Sequence, residues 1–179
     1  MDVASLRFLI LIAIVLLPLG GCRKSGSRFT NLKCESYDLD FAKFNNCRLN
    51  VLGRGVVGTN IHINLLKIPI NNVQINWSLW RRYSGYKLFL YNATCNFCQL
   101  LAHPDSISFQ SIVLSAIRTS SNLNHSCPYK HDIIVDNMVF KDEFLQKLPL
   151  PQGDYKIQMR FATYKVWKFQ IEIFLLRNE

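Results

Sequence analysis

From about residue 29 onward the chain is organised by alternation. Ile61, Ile63 and Leu65 alternate with His62 and Asn64, and Val73, Ile75, Trp77 and Leu79 alternate with Gln74, Asn76 and Ser78. Nearer the C-terminus, Tyr155, Ile157, Met159 and Phe161 alternate with Lys156, Gln158 and Arg160. Trp167, Phe169, Ile171 and Ile173 do the same with Lys168, Gln170 and Glu172. Side chains of a strand repeat every two residues, so each run predicts a half-buried strand with one apolar face. Only residues 162–166 separate the last two runs, which predicts an antiparallel pair with a short connection. Further strands are expected near 29–37, 44–52, 86–91 and 131–135, punctuated by Gly53-Arg54-Gly55, Ser84-Gly85 and Pro149-Leu150-Pro151-Gln152-Gly153-Asp154.

One stretch breaks the period. Between 106 and 119, Phe109, Ile112, Val113, Ala116 and Ile117 fall at helical spacing, with Pro104 and Asp105 just ahead as start signals. Seven or eight short strands with one helix predict an all-β fold. An antiparallel β-sandwich, a single domain over 29–179 with one helix between strands, leads over a closed barrel. In either architecture two apolar faces oppose each other across the interior.

The N-terminal segment sets the compartment. Arg7 precedes an apolar run from Phe8 to Leu19, and Pro18, Gly20 and Gly21 close it. A membrane-spanning helix needs about 20 apolar residues, so the run reads as a signal peptide over 1–21 followed by a basic leader over 22–28. Leu19-Gly20-Gly21-Cys22 also fits a bacterial lipidation box. Three glycosylation sequons, Asn76-Trp77-Ser78, Asn92-Ala93-Thr94 and Asn124-His125-Ser126, favour the eukaryotic secretory route instead. Each of these asparagines is then expected to face solvent, Asn76 from the outer face of its strand.

Export makes disulfides the default for the six cysteines, Cys22, Cys34, Cys47, Cys95, Cys98 and Cys127. Cys34 and Cys47 flank a strand pair and are expected to bridge it; Cys127 then pairs with Cys98 or Cys95. A zinc reading would use Cys95, Cys98, Cys127 and His131, and a redox reading the Cys95-Asn96-Phe97-Cys98 motif at a helix N-terminus. The oxidising compartment weighs against both, so no metal and no cofactor are expected.

Net charge is +9, and removing residues 1–21 deletes one Asp and one Arg, which leaves it unchanged. The basic residues are scattered on polar faces and the aromatics share phase with the aliphatic core. That is not the interleaving that single-stranded nucleic acids require, and no nucleic-acid partner is expected. Attraction to anionic lipid headgroups, about 1 kcal/mol per basic residue near a membrane, is the modest functional reading of the charge. Enzyme signatures are missing: no Gly-x-Ser-x-Gly elbow, no His-Glu-x-x-His and no phosphate loop. His62, His103, His125 and His131 have no nucleophile beside them in sequence, and Asp132 and Asp136, the one acid pair on a common strand face, are ordinary for a surface. A non-enzymatic protein is expected, and a glycosidase is the third and unsupported reading.

Three segments carry a family resemblance: Asn122-Leu123-Asn124-His125-Ser126-Cys127-Pro128-Tyr129-Lys130-His131-Asp132-Ile133-Ile134-Val135, Tyr86-Lys87-Leu88-Phe89-Leu90-Tyr91-Asn92-Ala93-Thr94 and Leu148-Pro149-Leu150-Pro151-Gln152-Gly153-Asp154-Tyr155. Together they resemble an insect family of secreted proteins of unknown function. That family is similar to the ML lipid-recognition superfamily and to ganglioside-activator-type lipid carriers, and some of its members are chemosensory. The resemblance implies an immunoglobulin-like sandwich with a ligand space between its sheets. It also implies that Cys34 and Cys47 form the N-terminal pair, that Cys98 lies before the helix and that Cys127 lies in the Ser-Cys-Pro run. Cys95 is a departure from that pattern.

The expected function is therefore a secreted binding protein that holds a lipid or other hydrophobic small molecule between two sheets. Its expected lining is Trp77, Leu79, Phe89, Tyr91, Met159, Phe161, Trp167 and Phe169. A membrane surface or a receptor is its further expected partner. The rival class is an extracellular interaction module or co-receptor with a solid core and an exposed apolar patch.

Overall fold

A computed structural model describes residues 27–103, 108–141, 143, 144, 148 and 150–178. The expected signal segment, Cys22, the helix-start signals Pro104 and Asp105, and Ser106 at the start of the expected helical stretch lie outside the described residues. In chain order the elements are β1 (Arg28–Ser36), β2 (Ala42–Gly53), β3 (Val56–Leu65), β4 (Gln74–Arg82), β5 (Tyr86–Asn96), α1 (Phe97–Ala102), α2 (Phe109–Arg118), β6 (Ile133–Val139), β7 (Gly153–Thr163) and β8 (Val166–Arg177). They form two antiparallel sheets, β1-β8-β7-β4-β5 and β2-β3-β6, packed as an all-β sandwich.

The alternating rows fall into register. Ile75 pairs with Phe161, Trp77 with Met159 and Leu79 with Ile157 across β4–β7, and those β7 residues pair with Phe169, Ile171 and Ile173 of β8. On the smaller sheet, Ile61 and Ile63 pair with Val135 and Ile133. Two apolar faces thus meet in a continuous core. Burying one such side chain contributes roughly 1.5–3 kcal/mol, so these rows dominate the stability of the fold. The outer face of the larger sheet carries polar cross-strand pairs. Lys156 Nζ lies 2.7 Å from Glu172 Oε1, and Gln158 Nε2 donates to Gln170 Oε1 at 3.0 Å.

Among the described residues two helices, not one, lie between β5 and β6. The expected helix is α2, which begins at Phe109, the first of its periodic apolar residues, with Ser108 as its cap accepting from the Ser111 N–H. The unexpected helix, α1, is only six residues long and is capped by Asn96, whose side chain accepts from the Gln99 N–H.

Cys34 and Cys47 form a disulfide that joins β1 to β2, one strand from each sheet. A second disulfide, Cys98 to Cys127, ties α1 to the segment before β6. Its partners lie 29 residues apart, a loop whose closure contributes about 3.6 kcal/mol in the chain-entropy account.

Candidate ligand cavity between the sheets

At one end of the sandwich the two sheets do not fill the space between them. Met159, Phe161, Phe169 and Ile171 supply one wall of a cavity of about 80 Å³, and Ile61, Ile63 and Val135 supply the facing wall. Ile70, Phe97 and Tyr129 close its end. Ile70 and Tyr129 exchange backbone hydrogen bonds of 2.9 and 3.0 Å, so two irregular segments lock together and hold their side chains against the void. The Tyr129 hydroxyl donates to the His125 carbonyl, and burial pushes its phenol up to about 12 against a smaller opposing pull from Arg118. Tyr129 is thus a neutral wall residue with its polar end satisfied outside the cavity.

The rim differs from the interior. Phe41, Ile70, Thr163 and Lys168 belong both to the cavity and to a surface groove of about 500 Å³ that adds Lys67, Asn71, Asn72 and Tyr164. Lys168 Nζ lies 2.8 Å from Asp38 Oδ2 and 5.3 Å from the centre of the Phe41 ring. The bond to Lys168 holds the Asp38 carboxyl below its ordinary range. Hydrocarbon inside and basic and amide groups at the mouth make a polarity gradient suited to an amphiphile.

The eight expected lining residues divide. Met159, Phe161 and Phe169 line the cavity. Trp77 and Leu79 face the same interior but are packed as solid core, each 1% exposed. Phe89 and Tyr91 reach other neighbours: Phe89 packs on Tyr155, and Tyr91 on Phe109 of α2 with its hydroxyl bonded to Gln110. Trp167 is on the wrong face. A register shift between Phe161 and Ala162 pairs Ala162 with Trp167 and leaves Lys168 as the extra residue, which reverses the phase of β8 at its start. Trp167 consequently lies on the outer side, 38% exposed, with the Arg160 guanidinium 4.7 Å from its ring centre.

Asn76 also departs from expectation. It is on the outer face of β4, but β4 is an interior strand of its sheet and neighbouring side chains cover it. Its amide nitrogen donates to Asn92 Oδ1 and Thr94 Oγ1 at 2.9 and 3.1 Å, and its carbonyl oxygen accepts from Arg160. Asn92 and Asn124 are exposed. The zinc set fails because Cys98 and Cys127 are bonded to each other. The redox reading loses its pair for the same reason, and the short helix α1 that follows Cys95 is set between antiparallel strands, not in the thioredoxin-like βαβ unit that reading requires. Among the described residues Cys95 is the free thiol, half-buried, and burial raises its pKa against an opposing influence from the Trp77 indole N–H. Asp132 is committed to His62, Oδ2 to Nε2 at 2.7 Å, while Asp136 is exposed.

Sequence reasoning missed the facing wall and the end of the cavity. Ile61, Ile63 and Val135 alternate as clearly as the strands of the larger sheet, but which apolar face they oppose is decided by the packing. Ile70 and Tyr129 sit in segments without any period.

What fold and site define together is an antiparallel β-sandwich with an apolar space between its sheets. Over residues 75–157 the chain is similar to a family described as "Protein of unknown function (DUF1091)". The matched stretch runs from β4 into β7 and includes both helices and the Cys98–Cys127 bridge. No curated protein matches the chain in sequence.

Proposed function

We propose that this chain is a secreted, non-enzymatic binding protein that takes the apolar end of a small amphiphile between its sheets. The observation that carries the reading is the wholly hydrocarbon interior of the cavity behind a rim that holds Lys67 and Lys168. Voids of this character stay dry and accept hydrocarbon, because water finds no polar partner in them. The two disulfides, and the lack among the described residues of any helix long and apolar enough to cross a membrane, are compatible with secretion. The resemblance to ML-type lipid carriers points the same way.

Size restricts the ligand. Pockets for drug-sized molecules run to roughly 300–1,000 Å³, so about 80 Å³ accepts a short or branched hydrocarbon end without rearrangement. A whole acyl chain enters only if side chains repack, and Met159 is the most adaptable of the wall residues.

The test is native mass spectrometry of the protein secreted from a eukaryotic host, with and without organic extraction, followed by titration with fluorescent fatty acids and sterols. A co-purifying amphiphile, or saturable uptake of a probe, supports the reading. A clean mass together with no uptake overturns it. That outcome would favour an interaction module, for which the exposed apolar tip of the β2–β3 hairpin (Val51, Leu52 and Val56) is the specific observation.

A further inference from the structure

Outside the cavity, two histidines of the segment before β6 face each other with their ring nitrogens at hydrogen-bonding distance. His125 Nε2 and His131 Nε2 are 2.9 Å apart. The other ring nitrogen of each lies against a backbone carbonyl: His125 Nδ1 is 2.6 Å from the Ser126 oxygen, and His131 Nδ1 is 2.8 Å from the Asp132 oxygen. A neutral imidazole carries one proton, on one nitrogen or the other. If both rings donate to their carbonyls, two Nε2 lone pairs confront each other at 2.9 Å. If His125 moves its proton to Nε2, its Nδ1 lone pair meets the Ser126 oxygen. If His131 does so, Nδ1 can accept from the Asn122 amide at 3.1 Å but still confronts the Asp132 oxygen. Every neutral arrangement therefore keeps one repulsive contact, which a positive charge removes, whether a proton shared by the two Nε2 atoms or a metal ion bound by both.

The surroundings fix both rings in place. Tyr129 stacks on His125 with centroids 4.6 Å apart and meets His131 edge-on at 5.5 Å. Asn122 bonds the Asp132 carbonyl at 2.7 Å and so sets the backbone beside His131. An imidazole whose Nδ1–H is held by a carbonyl, leaving Nε2 free and oriented, is the usual form of a metal-ligating histidine. The Arg118 guanidinium donates to the Asn124 carbonyl and so is already engaged.

We infer that His125 and His131 form a two-imidazole site for a divalent transition-metal ion with a square-planar preference, Cu²⁺ or Ni²⁺. The separation selects the geometry. With metal–nitrogen bonds of about 2.05 Å, 2.9 Å between donors subtends about 90°, the cis angle of a square-planar centre, whereas a tetrahedral centre requires about 3.3 Å. Among the described residues no group of three or more His, Cys, Asp or Glu side chains converges, so the remaining positions fall to water or small solution ligands. Both histidines are exposed, which leaves room for these. The site shares Tyr129 with the end of the cavity, but neither histidine is among the residues that line the cavity.

The test titrates Cu²⁺ into the full chain carrying Cys22→Ser and Cys95→Ser, which removes the cysteines outside the two disulfides, and follows it by electron paramagnetic resonance. The expected result is one ion per chain with two equatorial imidazole nitrogens. His125→Gln and His131→Gln should each weaken binding by about tenfold or more, while His62→Gln and His103→Gln leave it unchanged. A spectrum without imidazole coupling, or equal affinity in the His125 and His131 variants, overturns the inference. A second measurement needs no substitution: Ni²⁺ should protect His125 and His131 of the unmodified chain from diethylpyrocarbonate, mapped by peptide mass. Equal labelling with and without the ion also overturns it.

Discussion

Lys168 Nζ reaches across to Asp38 Oδ2 at 2.8 Å, so that the lysine displaced by the bulge in β8 is anchored at the mouth of the cavity by the loop between β1 and β2. The Lys168 bond lowers the Asp38 pKa, and the linkage sign follows from that direction. A carboxyl depressed in the folded state contributes stability above its ordinary, unfolded value, and the contribution is lost as pH falls through the folded value. Asp38→Asn should therefore melt below the unmodified chain at pH 7 and converge with it under strongly acidic conditions. Thermal melts across that range check this; a gap that is constant with pH contradicts it.

The position of Trp167 separates two magnitudes. A tryptophan in the interior costs about 3–5 kcal/mol on truncation, and Trp77→Ala should do so. Trp167 is held on the outer face by the Arg160 guanidinium, an exposed cation–π contact worth about 0.5–1 kcal/mol. Urea unfolding of Trp167→Ala should show a loss nearer the smaller figure, with ligand uptake unchanged. A loss comparable to that of Trp77→Ala would return the side chain to the core.

Trp167 also shows where reading from sequence stops. Alternation places Phe169, Ile171 and Ile173 correctly because each step of an undisturbed strand reverses the side chain. One inserted residue cancels that rule, and nothing in Val166-Trp167-Lys168 marks the insertion. Helix α1 did carry a signal, the Asn96 and Gln99 pair three apart, which is the pattern of a capping box. It was too short to show a period. The cavity was half legible. Met159, Phe161 and Phe169 follow from strand phase, whereas Ile70 and Tyr129 meet through a backbone bridge between two loops that only the folded chain assembles.

Burial of Asn76 predicts an uneven glycan map. The amide nitrogen that would carry the sugar already donates within the sheet, and neighbouring side chains on the outer face cover Asn76. Enzymatic deglycosylation in heavy-oxygen water, read by peptide mass, should mark Asn92 and Asn124 and leave Asn76 unmarked. Occupancy at Asn76 in the folded, secreted protein would contradict the register of β4 with β5.

Cys95 should be slow to react. The thiolate is the nucleophile, and burial holds this thiol protonated above its ordinary range, with the Trp77 N–H only partly offsetting it. Iodoacetamide labelling near neutral pH should lag well behind that of an unstructured cysteine peptide and accelerate as pH rises past the usual thiol value. Labelling at the peptide's rate would mean the thiol is solvated.

Filling and enlarging the cavity should move stability and uptake in different combinations. Val135 projects from β6 into the void, so Val135→Phe places a ring where hydrocarbon would bind. If the void absorbs the ring, the variant stays within about 1 kcal/mol of the parent; a ring that does not fit costs about 1–3 kcal/mol through overpacking. Phe169→Ala does the reverse, losing about 3–5 kcal/mol while opening the space beside Ile171. On the carrier reading, Val135→Phe abolishes probe uptake at nearly unchanged stability, whereas Phe169→Ala binds a longer hydrocarbon despite being the less stable protein. Urea unfolding and probe titration on the same samples separate the two effects. Uptake that merely follows stability, with Val135→Phe still binding, would mean that the probe sits on the surface and that the space between the sheets is a packing defect.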